Sequence, residues 1–233
     1  MESTVKFWDV GEARVARCDF ARGLQRHRDQ CPDHQYWLVL KGEWTVQGQR
    51  ISSLVRPTEA TLDVPGERCV RTVEQSLVAL SVQVRGAAQA HLSWEDEARL
   101  WRLAVLTRGS DVDPWALETT LAGLGQASIR PEEGLPTWLC HARELLHESS
   151  RLTLQEVADR VGISPNHLCT QFRASFGIGI ARYVRRLGVR RGLAHLKRDD
   201  AWVQGGFYDP SHFRRAVKAE LGVRPAEIRS LIA

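Results

Sequence analysis

Two short runs of this 233-residue chain hold residue types suited to hydrogen-bonding chemistry, and they share one pattern. The first is GISPNHLCTQFRASFGI at 162–178 and the second is GFYDPSHFRRAVKAELGV at 206–223. With an offset of 45, Ser164 aligns with Asp209, Pro165 with Pro210, His167 with His212, Leu168 with Phe213, Arg173 with Lys218 and Gly177 with Gly222. Between them runs IARYVRRLGVRRGLAHLK at 180–197. There Arg182, Arg186 and Arg190 stand four apart and predict one basic stripe, widened by Arg185 and Arg191. Cations of this kind bind phosphates and set position, while amide and guanidinium groups on a neighbouring helix can read base edges.

The elements that must position these groups are helices. Thr153 followed by Glu156 is a capping box, and Leu154, Val157, Ala158 and Val161 form one apolar face. Gly162 suits the positive φ of a tight turn. Ser164 as N-cap and Pro165 at the first helical position start the next helix. Leu168 and Phe172 face inward, leaving Asn166, His167, Thr170, Gln171 and Arg173 on the other faces. This is a helix-turn-helix layout, whose second helix can enter a DNA major groove. Asp209 can cap the later helix as Ser164 caps the earlier one. Thr137 is the expected cap of a preceding helix with Leu139, Ala142, Leu145 and Leu146 on one face.

On LTLQEVADRVGISPNHLCTQFRASFGI, the long connecting helix and GFYDPSHFRRAVKAELGVRPAEIR, residues 137–233 resemble the DNA-binding domain of the AraC/XylS family of transcriptional regulators. The resemblance implies two helix-turn-helix units, about 153–177 and about 200–222, joined by a helix over about 180–198. It also implies DNA contacts at Asn166, His167, Thr170, Gln171 and Arg173 in the first unit, and at Pro210, Ser211, Arg214, Arg215 and Lys218 in the second. The stripe residues Arg182 and Arg186 join them as phosphate contacts. One departure stands out. The stretch KRDDAWVQG before Gly206 is about four residues, one helical turn, shorter than the family pattern, and Gly205 beside Gly206 weakens a helix. The expectation is a second unit that is poorly supported, tilted or specialised for phosphate contact.

The first half differs in character. Residues 1–137 hold 16 Lys/Arg and 19 Asp/Glu, whereas 138–233 hold 16 and 9. A slightly acidic half joined to a basic half suggests two jobs. Arg14–Phe20, Tyr36–Leu40, Trp44–Gln47, Thr61–Val64 and Ser76–Val84 read as strands between turn signals, a sandwich or small barrel. DHQYWLVLKGEWTVQGQ and VRPTEATLDVPGERC resemble a cupin-like effector-binding module, with Tyr36, Trp37, Trp44, His27 and His34 as candidate ligand contacts. The cupin metal-ligand set is incomplete, and Cys69 stands where a histidine would fall. His27, Cys31, His34 and Cys69 have zinc-compatible spacing that reads as incidental, so no metal or other cofactor is expected. Thiol sensing by Cys31 or Cys69 is a further minor reading.

The chain as a whole is expected to be α+β with two domains. Residues 1–90 form a small cupin-like β-barrel or sandwich. Residues 91–127 add helices able to dimerise the protein or pack on the barrel, 128–136 form a linker, and 137–233 form the all-α double helix-turn-helix domain. No run of about 18 apolar residues spans a membrane, and the N-terminus lacks a secretory pattern. Five scattered cysteines suit a reducing cytoplasm. The expected function is a cytoplasmic, non-enzymatic transcription regulator that binds double-stranded DNA under the control of a small-molecule effector, an activator with RNA polymerase as a further partner and a homodimer as a further state. The alternatives are a cupin-type metal protein or enzyme with a DNA-binding tail, and a constitutive regulator.

Overall fold

The run His34–Lys41, HQYWLVLK, is buried almost throughout, because it must be covered on both faces. In the computed structural model the described residues are 3–28, 32–48, 52–66, 68–87, 91–126, 134–149 and 152–233, with only the backbone described for 26–28. The strands are β1 (Thr4–Val10), β2 (Ala13–Phe20), β3 (Gln25–Arg28), β4 (His34–Lys41), β5 (Trp44–Gly48), β6 (Ser52–Val55), β7 (Ala60–Asp63), β8 (Cys69–Val73) and β9 (Leu77–Val84). They form two antiparallel sheets, ordered β1-β2-β9-β4-β7 and β3-β8-β5-β6. Side chains alternate along β4. Trp37 and Val39 join the core shared with Cys18, Phe20, Trp44, Val55 and Val73. Tyr36 and Leu38 take the opposite face.

That opposite face is covered by helices. Contacts divide the chain into two units: Met1–Ser128 with Leu221–Ala233, and Ile129–Glu220. The β unit contains α1 (Trp94–Leu106), α2 (Pro114–Leu121) and α9 (Pro225–Ile232); α1 and α9 both pack against β4. Ser93 caps α1 in a capping box with Asp96, and Asp113 caps α2 ahead of Pro114. Leu100, Trp101 and Leu103 are buried inside this unit, so they serve its core.

The helical unit holds α3 (Thr137–Glu148), α4 (Leu154–Val161), α5 (Pro165–Phe176), α6 (Ile180–Ala194) and α7 (Ala201–Gln204), and α8 (Pro210–Leu221) closes it. Leu139, Ala142, Leu145, Val157, Ala158, Leu168 and Phe172 form its first core. Thr137 is not a cap: it is the first helical residue of α3, and Pro136 stands at the N-cap without a side-chain hydrogen bond. Proline fixes φ near the helical entry value, which does the work assigned to the threonine. Of the linker expected over 128–136, residues 128–133 lie outside the described residues.

The shortened lead-in to the second helix-turn-helix does yield a helix of only four residues. It is nevertheless firmly seated. A Cβ on Gly188 would lie 2.6 Å from the Gly205 carbonyl oxygen, and one on Gly205 would lie 2.7 Å from that of Gly188. A Cβ on Gly192 would lie 2.5 Å from the Phe213 ring. The missing turn is thus offset by backbone-to-backbone packing of α7 on α6, which corrects the expectation of poor support.

Candidate nucleic-acid interface

The start of each candidate recognition helix is set by local hydrogen bonds. In the first copy Thr153 and Glu156 cap α4 reciprocally, with the Glu156 Oε2 accepting the Thr153 N–H at 2.7 Å. Gly162 ends α4 at φ 75°, and the Ser164 Oγ accepts the His167 N–H at 3.3 Å. In the second copy Gly206 turns at φ 76°, and Asp209 Oδ1 accepts the His212 N–H at 2.7 Å. That bond holds the Asp209 carboxyl below the ordinary aspartate range. The cap is fully present above 3.8, the ordinary value, and is lost as pH falls through the lower folded value. The His212 amide resonance is therefore expected to titrate with a midpoint below 3.8, read by NMR, and a midpoint at or above 3.8 would refute the cap.

On α5, Asn166, His167, Thr170 and Arg173 are exposed and Gln171 is half-buried. Thr170 donates its hydroxyl hydrogen to the Asn166 carbonyl at 2.9 Å, which leaves its lone pairs outward. His167 lies 5.6 Å from the Trp138 ring, so one face of its imidazole is used in packing. On α8, Pro210, Arg214, Arg215 and Lys218 are exposed and Ser211 is half-buried. The Ser211 Oγ accepts from Arg214 at 2.8 Å, and His212 packs edge-on against Phe207 at 5.1 Å.

The basic stripe on α6 is only partly a stripe. Arg186 is buried, its Nε 3.1 Å from Glu220 Oε2, so it cannot contact a phosphate, contrary to the sequence expectation. Arg182 and Arg185, both half exposed, reach the same carboxylate at 3.2 and 3.7 Å. A single buried acid therefore ties α6 to α8 through three guanidinium groups. Sequence reasoning missed Glu220. Its signal was its place on the α8 stripe Phe213, Ala216, Val217, Glu220, where the other members are apolar and buried. Tyr208, 89% exposed beside the Asp209 cap, was also missed; a large aromatic on a turn was the available cue.

In the β unit the expected ligand contacts are core. Tyr36, Trp37 and Trp44 are at most 2% exposed, and Trp37 packs edge-on against Trp44 at 5.0 Å. Arg71 and Asp63, both buried, pair between the sheets; Trp37 Nε1 donates to Asp63 at 3.0 Å and the guanidinium lies over the Trp44 ring at 5.1 Å. Burial pulls the Arg71 pKa down, against the pull of the Cys69 thiol beside it. Aromatic rings and this ion pair occupy the space where a pocket was expected. His34 is buried too. The His27 side chain and Cys31 lie outside the described residues, and among those described no group of three or more His, Cys, Asp or Glu is placed to hold a metal ion.

Residues 157–230 match the family described as a helix-turn-helix domain. The chain carries a DNA-binding helix-turn-helix domain behind an N-terminal antiparallel β-sandwich. Similar solved structures include a cupin superfamily protein from Desulfitobacterium hafniense, at 11% identity over 36% of this chain and 77% of that one, with a TM-score of 0.34. A Cupin 2 conserved barrel protein from Salinispora arenicola gives 12%, 36%, 77% and 0.33, and KdgF from a Halomonas species gives 16%, 36%, 81% and 0.32. No curated protein sequence matches the chain. Among its described residues no helix is long and apolar enough to cross a membrane.

Proposed function

We propose that this regulator binds specific double-stranded DNA sites through α5 and α8 and that a small molecule held by the β unit alters this binding. The observation that carries the reading is the pair of capped helices, each offering exposed Asn, Thr, Arg or Lys side chains, joined by α6. Asn166, Gln171, Arg173, Arg214 and Arg215 have the donor patterns that pair with purine edges, while Lys218, Arg182 and the Tyr208 hydroxyl suit phosphates. The reading assigns the protein no catalytic step. Control by an effector needs a ligand that favours one state over the other. It also takes a cytoplasmic site of action, RNA polymerase as a further partner and activation as the outcome.

The test is binding to promoter DNA across a range of salt. Arg173→Ala and Arg215→Ala are each expected to weaken binding by about 1–3 kcal/mol and to relax base choice at one position. Loss of a phosphate contact instead lowers affinity evenly across sequences and reduces the salt slope by about one. If neither substitution changes affinity or sequence choice, the helices are wrongly assigned.

A further inference from the structure

With the sandwich interior filled, the space for a ligand in the β unit lies elsewhere. A groove of about 340 Å³ opens between α1, α2 and the segment that leads into α9. Its apolar wall includes Val105, Leu106, Trp115 and Val223, and Trp115 is 71% exposed although it is the largest of these side chains. That size falls in the usual range of small-molecule sites, which are mostly apolar with a few placed polar groups.

The polar groups of the groove differ sharply in what they can still do. Thr119 and Thr120 donate their hydroxyl hydrogens to the carbonyls of Trp115 and Ala116 at 2.8 and 2.7 Å, so they present lone pairs only. Glu227 Oε2 is committed to the Arg224 N–H at the start of α9. Arg102 is the cation of the lining. Its Nε donates to the Ala98 carbonyl at 3.2 Å, which leaves the terminal nitrogens, and no described carboxylate pairs with it. Burial, reinforced by Arg99, pulls its pKa down, a strain that a bound anion would relieve. Gly222, at φ 78°, makes room for it: a Cβ there would lie 3.0 Å from Arg102 Cδ.

We propose that this groove binds a small monocarboxylic acid with a flat apolar body, the carboxylate on Arg102 and the body against Trp115, Val105 and Val223. A second negative charge is disfavoured by Glu227. Calling the occupant an effector rests on the regulator reading above. A ligand there touches Gly222 and Val223, which directly follow α8 in the chain, so its binding energy acts on a segment continuous with a reader helix.

The full-length protein is titrated with indole-3-acetate, benzoate and decanoate, each against its amide, by calorimetry and by the Trp115 indole resonance. At least one acid is expected to bind one to one below about 1 mM, with the amide about tenfold weaker or worse. Arg102→Gln should lose about tenfold or more, Arg102→Lys should recover part of it, and Trp115→Ala should weaken binding without unfolding an exposed site. Binding should also change affinity for promoter DNA in the parent and not in Arg102→Gln. No binding by any of the three acids, equal binding of acid and amide, or indifference to Arg102→Gln overturns the site. Binding that leaves DNA affinity unchanged overturns the effector role. Absence of DNA binding with acid binding intact overturns the regulator reading instead.

Discussion

Replacing Glu220 by Ala is expected to destabilise the helical unit by about 3–5 kcal/mol and to cost most of the specific DNA affinity. Glu220 is buried at the end of α8, and its carboxylate is shared by Arg182, Arg185 and Arg186. Removing it leaves the buried Arg186 without that counter-charge, and breaking one side of a buried pair is far costlier than never having had it. The pair also sets where α8 sits on α6. Glu220→Gln keeps the shape and loses the charge, so it separates packing from electrostatics. Urea unfolding followed by circular dichroism reads the stability, and promoter titration reads the affinity. A Glu220→Ala protein within about 0.5 kcal/mol of the parent would show that the cluster carries no net weight.

Gly188→Ala should destabilise the same unit, although glycine to alanine inside a helix ordinarily stabilises by about 0.4–1 kcal/mol. The added Cβ meets the Gly205 carbonyl at 2.6 Å and the Phe207 ring at 3.3 Å. A backbone atom cannot rotate away as a side chain can, so α7 must shift off α6 at a cost of about 1–3 kcal/mol. Gly188→Val should do more. The expected pattern is a lower melting temperature, loss of amide protection confined to residues 200–221, and weakened DNA binding with the first helix-turn-helix intact. A Gly188→Ala protein more stable than the parent would show that α7 is not in backbone contact with α6.

The helix starts were legible because their causes are local. Ser164 before Pro165, Thr153 before Glu156, and Asp209 before Pro210 act within three residues, and the structure caps α5, α4 and α8 with these side chains. The strands at Tyr36–Leu40, Trp44–Gln47 and Ser76–Val84 were legible from dense apolar runs. β1, β3, β6 and β8 were not, because edge or short strands with polar faces lack such runs; β1 is exposed along most of its length.

The site is where local reasoning gave out. The spacing of Arg182, Arg186 and Arg190 puts them on one helix face, but whether that face meets solvent or a buried carboxylate depends on Glu220, 34 positions away. Gly205 read as a helix breaker, which it is, yet its close approach to Gly188 is what seats α7. Trp37 and Trp44 suited either a pocket or a core, and the opposing sheet with Arg71 and Asp63 made them core.

By itself, then, the sequence determined the two capped helices α5 and α8 and the chemistry they expose, because caps, turns and periodicity are properties of neighbouring residues. The tertiary structure alone decided which arginines are free, how a four-residue helix is supported and where the β unit leaves an open groove, because burial and pairing are set by residues far apart in the chain.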